Sequence, residues 1–115
     1  MRIYILEDDP LLALDLVEIV EGCGHSVLEC FVSLADMADR LDELPDFALL
    51  DIDLPDGKSF GIAAALDARG IPFAFVSGSR QGDLPEHLRH ARFVAKPYSP
   101  VAIRNALRSE QRVAC

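Results

Sequence analysis

Short apolar runs and helical patterns take turns from one end of the chain to the other, and this alternation limits the fold more than any other feature. Ile3-Tyr4-Ile5-Leu6 is apolar at every position, as expected of a strand covered on both faces. Asp9 and Pro10 then start a helix, Asp9 as N-cap and Pro10 at the first helical position. Leu12, Leu16, Ile19, Val20 and Cys23 share one helical face, Asp15, Glu18 and Glu21 mark the wet one, and Gly22 and Gly24 end the helix. Residues 26–30 read as a short second strand. Ser33 caps the next helix, with Asp36 three residues on and Leu34, Met37, Ala38 and Leu41 as its buried stripe. Pro45 and Asp46 break the chain before a third strand, 47–50, which ends at Asp51. A loop with Pro55 and Gly57 leads to a helix from about Ser59 to Arg69, stopped by Gly70. Residues 72–76 and 92–95 are the fourth and fifth strands, and Ser99-Pro100 starts a last helix running to about Gln111. Between strands four and five the helical signal is poor, since 79–82 is loop-like and Pro85 sits just before 86–90. A fourth helix there is expected to be short or mobile.

Strands alternating with helices imply a parallel sheet with helices on both faces. With 115 residues the chain has room for one core and one domain. Sheets of this kind place ligands at the carboxyl ends of their strands, so the chemistry is to be sought there. A net charge of -8 argues against binding to nucleic acid. Glu7, Asp8 and Asp9 cut the first apolar run too early for a signal-peptide core, and no run has the length a bilayer needs. A cytoplasmic location and no membrane contact are therefore expected. Cys23, Cys30 and Cys115 are odd in number and lack metal-type spacing; Cys23 and Cys30 read as small core residues and Cys115 as a frayed end. His25, His87 and His90 show no ligand pattern and read as surface or loop residues.

Four of the five expected strand ends carry a polar or reactive group: Glu7, Asp8 and Asp9 after the first, Asp51 after the third, Ser77 after the fourth and Lys96 after the fifth. Each alone has an ordinary explanation. An acidic run is usually a solvated loop, Asp51 to Gly57 can form a turn, Ser77-Gly78-Ser79 is a turn of small residues, and a lysine before proline is commonly at the surface. Their joint placement at strand ends is what points to a site. With the strand order 2-1-3-4-5 of a flavodoxin-like (βα)5 doubly wound sheet, all four sets meet in one crevice. Carboxylates of Glu7, Asp8 and Asp51 crowded there raise one another's pKa values unless a cation neutralises them. Mg²⁺ suits this set, because it binds through one or two carboxylates, keeps waters and accepts a phosphate oxygen. Lys96 can pair with Asp51 or with a phosphate oxygen, and the Ser77 hydroxyl can donate to another.

These residues lie in Ile-Leu-Glu-Asp-Asp (5–9), Leu-Leu-Asp-Ile-Asp-Leu-Pro-Asp-Gly (49–57), Val-Ser-Gly (76–78) and Ala-Lys-Pro-Tyr (95–98). In these motifs the chain resembles the response-regulator receiver family over essentially its whole length. The resemblance implies that Glu7 and Asp8 are the acid pair, that Asp51 is the phosphoacceptor, and that Asp53 lends its backbone carbonyl to Mg²⁺. It further implies Ser77 as the switch hydroxyl, Phe93 as the switch aromatic and Lys96 as the family's lysine. Without the family pattern, Phe93 reads equally well as core. The segments 70–78, 84–89 and 96–100 are similar to the FATGUY-type single-domain receivers of alphaproteobacteria. That subgroup implies an HWE-type sensor histidine kinase as partner and an atypical fourth helix. Ser77 stands where threonine is more usual, Ser59 stands where a second glycine is common, and the stretch from Ser77 to Lys96 is a little short.

The expected function is that of a stand-alone receiver spanning residues 1–115, with no output domain, present as a monomer or weak dimer. Phosphorylation of Asp51 by the kinase would be read by a downstream protein or a phosphotransfer partner, without enzymatic turnover of a substrate. Two other readings use the same residues. Asp51-Ile52-Asp53 also looks like the nucleophile motif of haloacid-dehalogenase-type phosphatases, although those place it on the first strand and add a cap. A phosphorylation-independent adaptor would keep the fold without needing Glu7, Asp8, Asp51, Ser77 and Lys96 together.

Overall fold

The computed structural model describes residues 1–113, with side chains as far as Arg108. In chain order the elements begin β1 (Arg2–Leu6), α1 (Pro10–Gly22), β2 (Ser26–Phe31), α2 (Leu34–Ala38) and β3 (Phe47–Leu50). They continue with β4 (Asp53–Leu54), β5 (Gly57–Lys58), α3 (Phe60–Ala68), β6 (Phe73–Ser77), β7 (Arg92–Ala95) and α4 (Pro100–Val113). Five strands form one parallel sheet in the order β2-β1-β3-β6-β7. That is the expected 2-1-3-4-5 order, because β4 and β5 form a separate small antiparallel hairpin.

Alternation along each strand divides the core into two layers. Ile3, Ile5, Phe47, Leu49, Ala74 and Val76 pack with Leu16 and Val20 of α1 and Ile103 and Leu107 of α4. Tyr4, Leu6, Ala48, Leu50 and Phe75 pack instead with Met37 of α2 and Ile62, Ala63 and Leu66 of α3. Both faces are therefore covered, which is why β1, β3 and β6 are apolar throughout their buried length apart from Ser77 at the end of β6. The chain leaves β1 for β2 on one side and reaches β3 on the other, so a crevice opens at the carboxyl ends of β1 and β3.

Capping residues act where the sequence places them. Asp9 Oδ1 accepts from the N–H groups of Leu11 and Leu12 at 2.9 and 3.3 Å, and Ser33 Oγ accepts from Asp36 N–H at 3.2 Å. Ser99 Oγ accepts from Ala102 N–H at 3.2 Å at the start of α4. Gly24 follows α1 with φ 88°, the left-handed conformation a glycine takes without steric cost.

Other local expectations are corrected. The segment 53–58, read as a loop, is the β4–β5 hairpin, turned through Pro55 and Asp56, with Gly57 opening β5 at φ 135°. Asp56 fastens it to α2 by accepting from the N–H groups of Leu34 and Ala35 at 3.0 and 3.2 Å. α2 is only one turn and a half long, with Ala38 exposed rather than in its buried stripe, because the following residues turn away from the helix. The fourth helix, by contrast, is short and irregular as expected: it consists of two 3₁₀ turns, Gln81–Asp83 and Glu86–Leu88, separated by Leu84 and Pro85. Pro85 cannot donate an N–H to a continuous helix, while buried Leu84 and Leu88 anchor the segment to the α3 side of the sheet. Cys30 is exposed, contrary to a core reading, since β2 is an edge strand with an alternating burial pattern, and Cys23 is only half-buried at the C-terminal end of α1. His25 does lie in a turn but is buried, its Nδ1 accepting from the Met1 amino group at 2.9 Å. Cys115 lies outside the described residues.

Phe75 is fully buried and meets Phe60 and Phe73 edge-to-face at centroid distances of 6.2 and 5.5 Å. Phe75→Ala is expected to lower unfolding free energy by about 3–5 kcal/mol in urea denaturation. Leu14→Ala, on the exposed face of α1, should stay within about 0.5 kcal/mol of the parent.

Candidate functional site

Strand register brings the polar residues together. Leu6 of β1 is level with Leu50 of β3, and Ser77 of β6 with Ala95 of β7. Each strand therefore delivers its next residue to the same rim. Asp51 N–H donates to Leu6 O at 2.9 Å, Glu7 N–H to Phe31 O at 2.9 Å, and Lys96 N–H to Ser77 O at 2.9 Å. These backbone bonds hold Glu7, Asp51 and Lys96 in place before their side chains interact.

Lys96 Nζ lies between two carboxylates, donating to Glu7 Oε1 at 2.7 Å and to Asp51 Oδ2 at 3.2 Å. Glu7 is 2 % exposed and Asp51 8 %, whereas Asp8 is open to solvent. Oxygen atoms of Glu7, Asp8 and Asp51 all lie within 4.8 Å of one another. The second oxygen of Glu7 accepts from Asp9 N–H at 3.1 Å, and Asp51 Oδ1 accepts from Ile52 N–H at 2.7 Å. Burial pushes the Glu7 carboxyl above its ordinary pKa, and the negative charge of Asp51 adds to this against the pull of Lys96 and Asp9 N–H. For Lys96, burial alone would lower the pKa, but the hydrogen bond to Glu7 and the charge of Asp51 outweigh it and the value rises. Burial opposes the charge on both groups, and it is outweighed only at Lys96, because the ammonium has two anionic partners while Glu7 shares its one cation with Asp51.

Two carboxylates on one ammonium, with Asp8 beside them, leave the rim negative. Hard oxygen donors in such a group, one of them solvent-facing, are the chemistry that fits a divalent cation such as Mg²⁺. Glu7, Asp8 and Asp51 are the residues that could hold it.

The remaining expected residues are arranged around this centre. Ser77 is buried at the end of β6 and its Oγ accepts from Ser79 N–H at 3.2 Å. Phe93 is half-buried, level with Phe75 in the neighbouring strand and packed on the α3 side of the sheet. Asp53 falls in the hairpin, its side chain turned to the Lys58 ammonium and to Ser79 Oγ, which donates at 3.1 Å. Hydrogen bonding from Lys58 and Ser79 holds the Asp53 carboxyl below its usual pKa. That carboxylate is not part of the acid group, which leaves the backbone carbonyl as the one route by which Asp53 could serve a metal.

Three contacts were not legible as parts of the site. Ser59 Oγ donates to Asp51 O at 2.6 Å, Lys58 and Ser79 together hold Asp53, and Tyr98 OH donates to Asp15 Oδ2 at 2.9 Å. Burial and the bond to Asp15 raise the Tyr98 pKa. Ser59 carried one signal, a polar residue immediately before an apolar helix. A cleft of about 380 Å³ beside Lys96 is bounded by Leu12, Asp15, Pro97 and Tyr98. A larger one of about 610 Å³ lies along β7 and α4, so converging charge rather than concavity marks the centre.

A doubly wound parallel sheet with an acid cluster, a hydroxyl and a lysine at its carboxyl edge is the architecture of a signalling receiver. No protein-family model matches the chain. The regulator PhyR of Methylorubrum extorquens is 34% identical, with 89% of this chain covered; the chain spans only 40% of that protein's length. The structure of SdrG from Sphingomonas melonis superposes with a TM-score of 0.82 at 30% identity, covering 93% of this chain and 92% of SdrG. SdrG in its BeF₃-activated conformation gives 0.77 at 32% identity, covering 92% of each chain. The response regulator PhyR from Brucella abortus gives 0.78 at 28% identity over 98% of this chain and 51% of that one. The chain belongs to the response-regulator receiver family.

The raised pKa of Glu7 has a consequence for the metal-free protein. A carboxyl raised on folding contributes stability that is complete below its ordinary value of 4.5 and is lost as pH climbs through the raised value. Glu7→Gln, which cannot ionise, is expected to melt at a higher temperature than the parent at neutral pH in chelator, with the advantage shrinking toward pH 4.5. Thermal melts across that range decide it, and identical curves at neutral pH would contradict the cause assigned to the shift.

Proposed function

We propose that the chain is a stand-alone receiver that takes a phosphoryl group onto Asp51 and passes the signal on through protein contacts. The observation that carries this is the Lys96 ammonium held between Glu7 and Asp51, with Asp8 beside them. In this reading Glu7, Asp8, Asp51 and the Asp53 carbonyl hold Mg²⁺, and Ser77 and Phe93 form the switch. SdrG is matched over 92% of its own length, which supports a receiver working as a unit across residues 1–115.

An Asp51 oxygen uses a lone pair to form a new O–P bond as the P–O bond of an acyl phosphate donor breaks and the carboxylate leaves with its electron pair. Mg²⁺, when bound, neutralises charge on the phosphoryl oxygens. Lys96 already balances charge at Asp51 and can follow it to a phosphoryl oxygen. The Ser77 hydroxyl, occupied among the described residues as an acceptor from Ser79 N–H, keeps its proton available for another such oxygen. From a sensor histidine kinase, HWE-type by subgroup, the same transfer breaks a P–N bond and the imidazole takes up a proton. The acyl phosphate carries about -2 where the carboxylate carried -1, a net gain of about one negative charge at a rim already negative, and the resulting rearrangement of the loops after β6 and β7 supplies the output. Among the described residues no helix is long and apolar enough to cross a membrane. A haloacid-dehalogenase-type phosphatase would carry the Asp51-Ile52-Asp53 motif on its first strand, whereas here it comes after β3.

Incubation with Mg²⁺ and acetyl phosphate is expected to add one phosphoryl mass, lost entirely in Asp51→Asn and measured by intact-protein mass spectrometry. Unlabelled parent protein would end this reading. In a separate metal titration, Asp8→Asn should bind Mg²⁺ several-fold more weakly than the parent; equal affinity would remove Asp8 from the ligand set.

A further inference from the structure

Ser59 is fully buried and stands at the N-cap of α3, yet its side chain makes no hydrogen bond to the first turn of that helix. A serine in this position ordinarily accepts from one of the free N–H groups there. Here the hydroxyl is turned backward and donates to Asp51 O at 2.6 Å, while Ser59 N–H donates to Ile52 O at 2.9 Å. Ser59 thus binds two successive carbonyls of the segment just after β3.

The first of those carbonyls has a particular partner across its own peptide. Asp51 C=O and Ile52 N–H belong to one planar unit, and they point in opposite directions. Ser59 holds the oxygen end. The nitrogen end donates to Asp51 Oδ1 at 2.7 Å. Fixing the plane at one end therefore fixes the direction of the donor at the other, and a hydrogen bond accepted by the carbonyl polarises the N–H and strengthens what it gives. With Oδ1 held in this way, Oδ2 is the oxygen presented to Lys96 at 3.2 Å.

We infer that the Ser59 hydroxyl is the positioning group for the Asp51 carboxylate, acting on it through the 51–52 peptide plane. This rests on Asp51 being the phosphoacceptor. Ser59 touches neither phosphate nor metal in this role; it sets the orientation from which Asp51 attacks. The contact is specific to a residue with a hydroxyl at this point. Glycine or alanine would leave the Asp51 carbonyl without its donor and the peptide free to rock.

The test compares Ser59→Ala and Ser59→Thr with the parent in two measurements. In the first, the rate of labelling by acetyl phosphate at saturating Mg²⁺ is expected to fall on the order of tenfold in Ser59→Ala, short of the hundredfold that an ångström of misplacement can cost. The threonine hydroxyl should restore most of it. In the second, the Ile52 amide is followed by NMR without phosphate or metal. In Ser59→Ala its proton should move upfield and exchange faster than the amides of neighbouring β3, with Ser59→Thr close to the parent. A merely structural loss would spread over β3 and α3 and lower the melting point without singling out this amide. A parent that labels well, an alanine variant that labels at the same rate and an unmoved Ile52 amide would overturn the inference while leaving Asp51 as acceptor. A parent that does not label at all would overturn the acceptor reading, and this inference with it.

Discussion

The ion pairing of Lys96 with Glu7 and Asp51 is the interaction around which the carboxyl edge of the sheet is organised. Two carboxylates nearly removed from water, with a third alongside, cannot share a rim without a positive charge among them. The ammonium arrives from a strand two places away from β3 in the sheet, so the order β2-β1-β3-β6-β7 and the register of its neighbours are conditions for the site to exist. One lysine does not neutralise three acids, and the excess negative charge is what would suit the rim to a divalent cation. A bound cation would relieve the same excess of charge that strains the rim by itself.

Behind the rim, the two-layer core supplies rigidity. Ile52 and Ser59 are buried beside Asp51, and backbone hydrogen bonds together with the Ser59 hydroxyl anchor it. Asp56 ties the hairpin to α2, and Lys58 and Ser79 fasten Asp53 away from the acid group. The opposite side of the site is built differently. Between β6 and β7 the chain makes two 3₁₀ turns held by buried Leu84 and Leu88, by the Arg89 guanidinium on the carbonyls of Leu84 and Gly82, and by i to i+3 backbone bonds in place of the continuous ladder of a full helix. A segment so anchored has less to lose on rearrangement than a three-turn helix, and it begins within a few residues of Ser77.

Much of this architecture was legible in the residues. Apolar runs set the strands within a residue or so, Asp9, Ser33 and Ser99 marked helix starts that the structure confirms as caps, and the weak signal at 79–90 became two short turns. Burial of single residues is harder to read. Cys30 looks like core because free cysteine is usually buried, but it lies on an edge strand where one side has no neighbour to cover it. His25 departs the other way, a polar residue drawn inside by the turn between α1 and β2. The hairpin at 53–58 leaves no periodic signal because each of its strands is two residues long, too short for any period to register.

Sequence alone determined which chemical groups end the strands, because local periodicity sets strand boundaries and each boundary sets which residue comes next. It could not determine which of those groups touch. Lys96 and Glu7 are 89 residues apart, and their contact depends on sheet order, register and the direction of each side chain as it leaves its strand. Likewise a serine before a helix announces a cap, but whether its hydroxyl serves that helix or the carbonyl of Asp51 is decided by what the folded chain brings within reach. Short-range propensity is written residue by residue; pairing across the sheet is a property of the whole packed structure, and only there does an acid next to a lysine become a site.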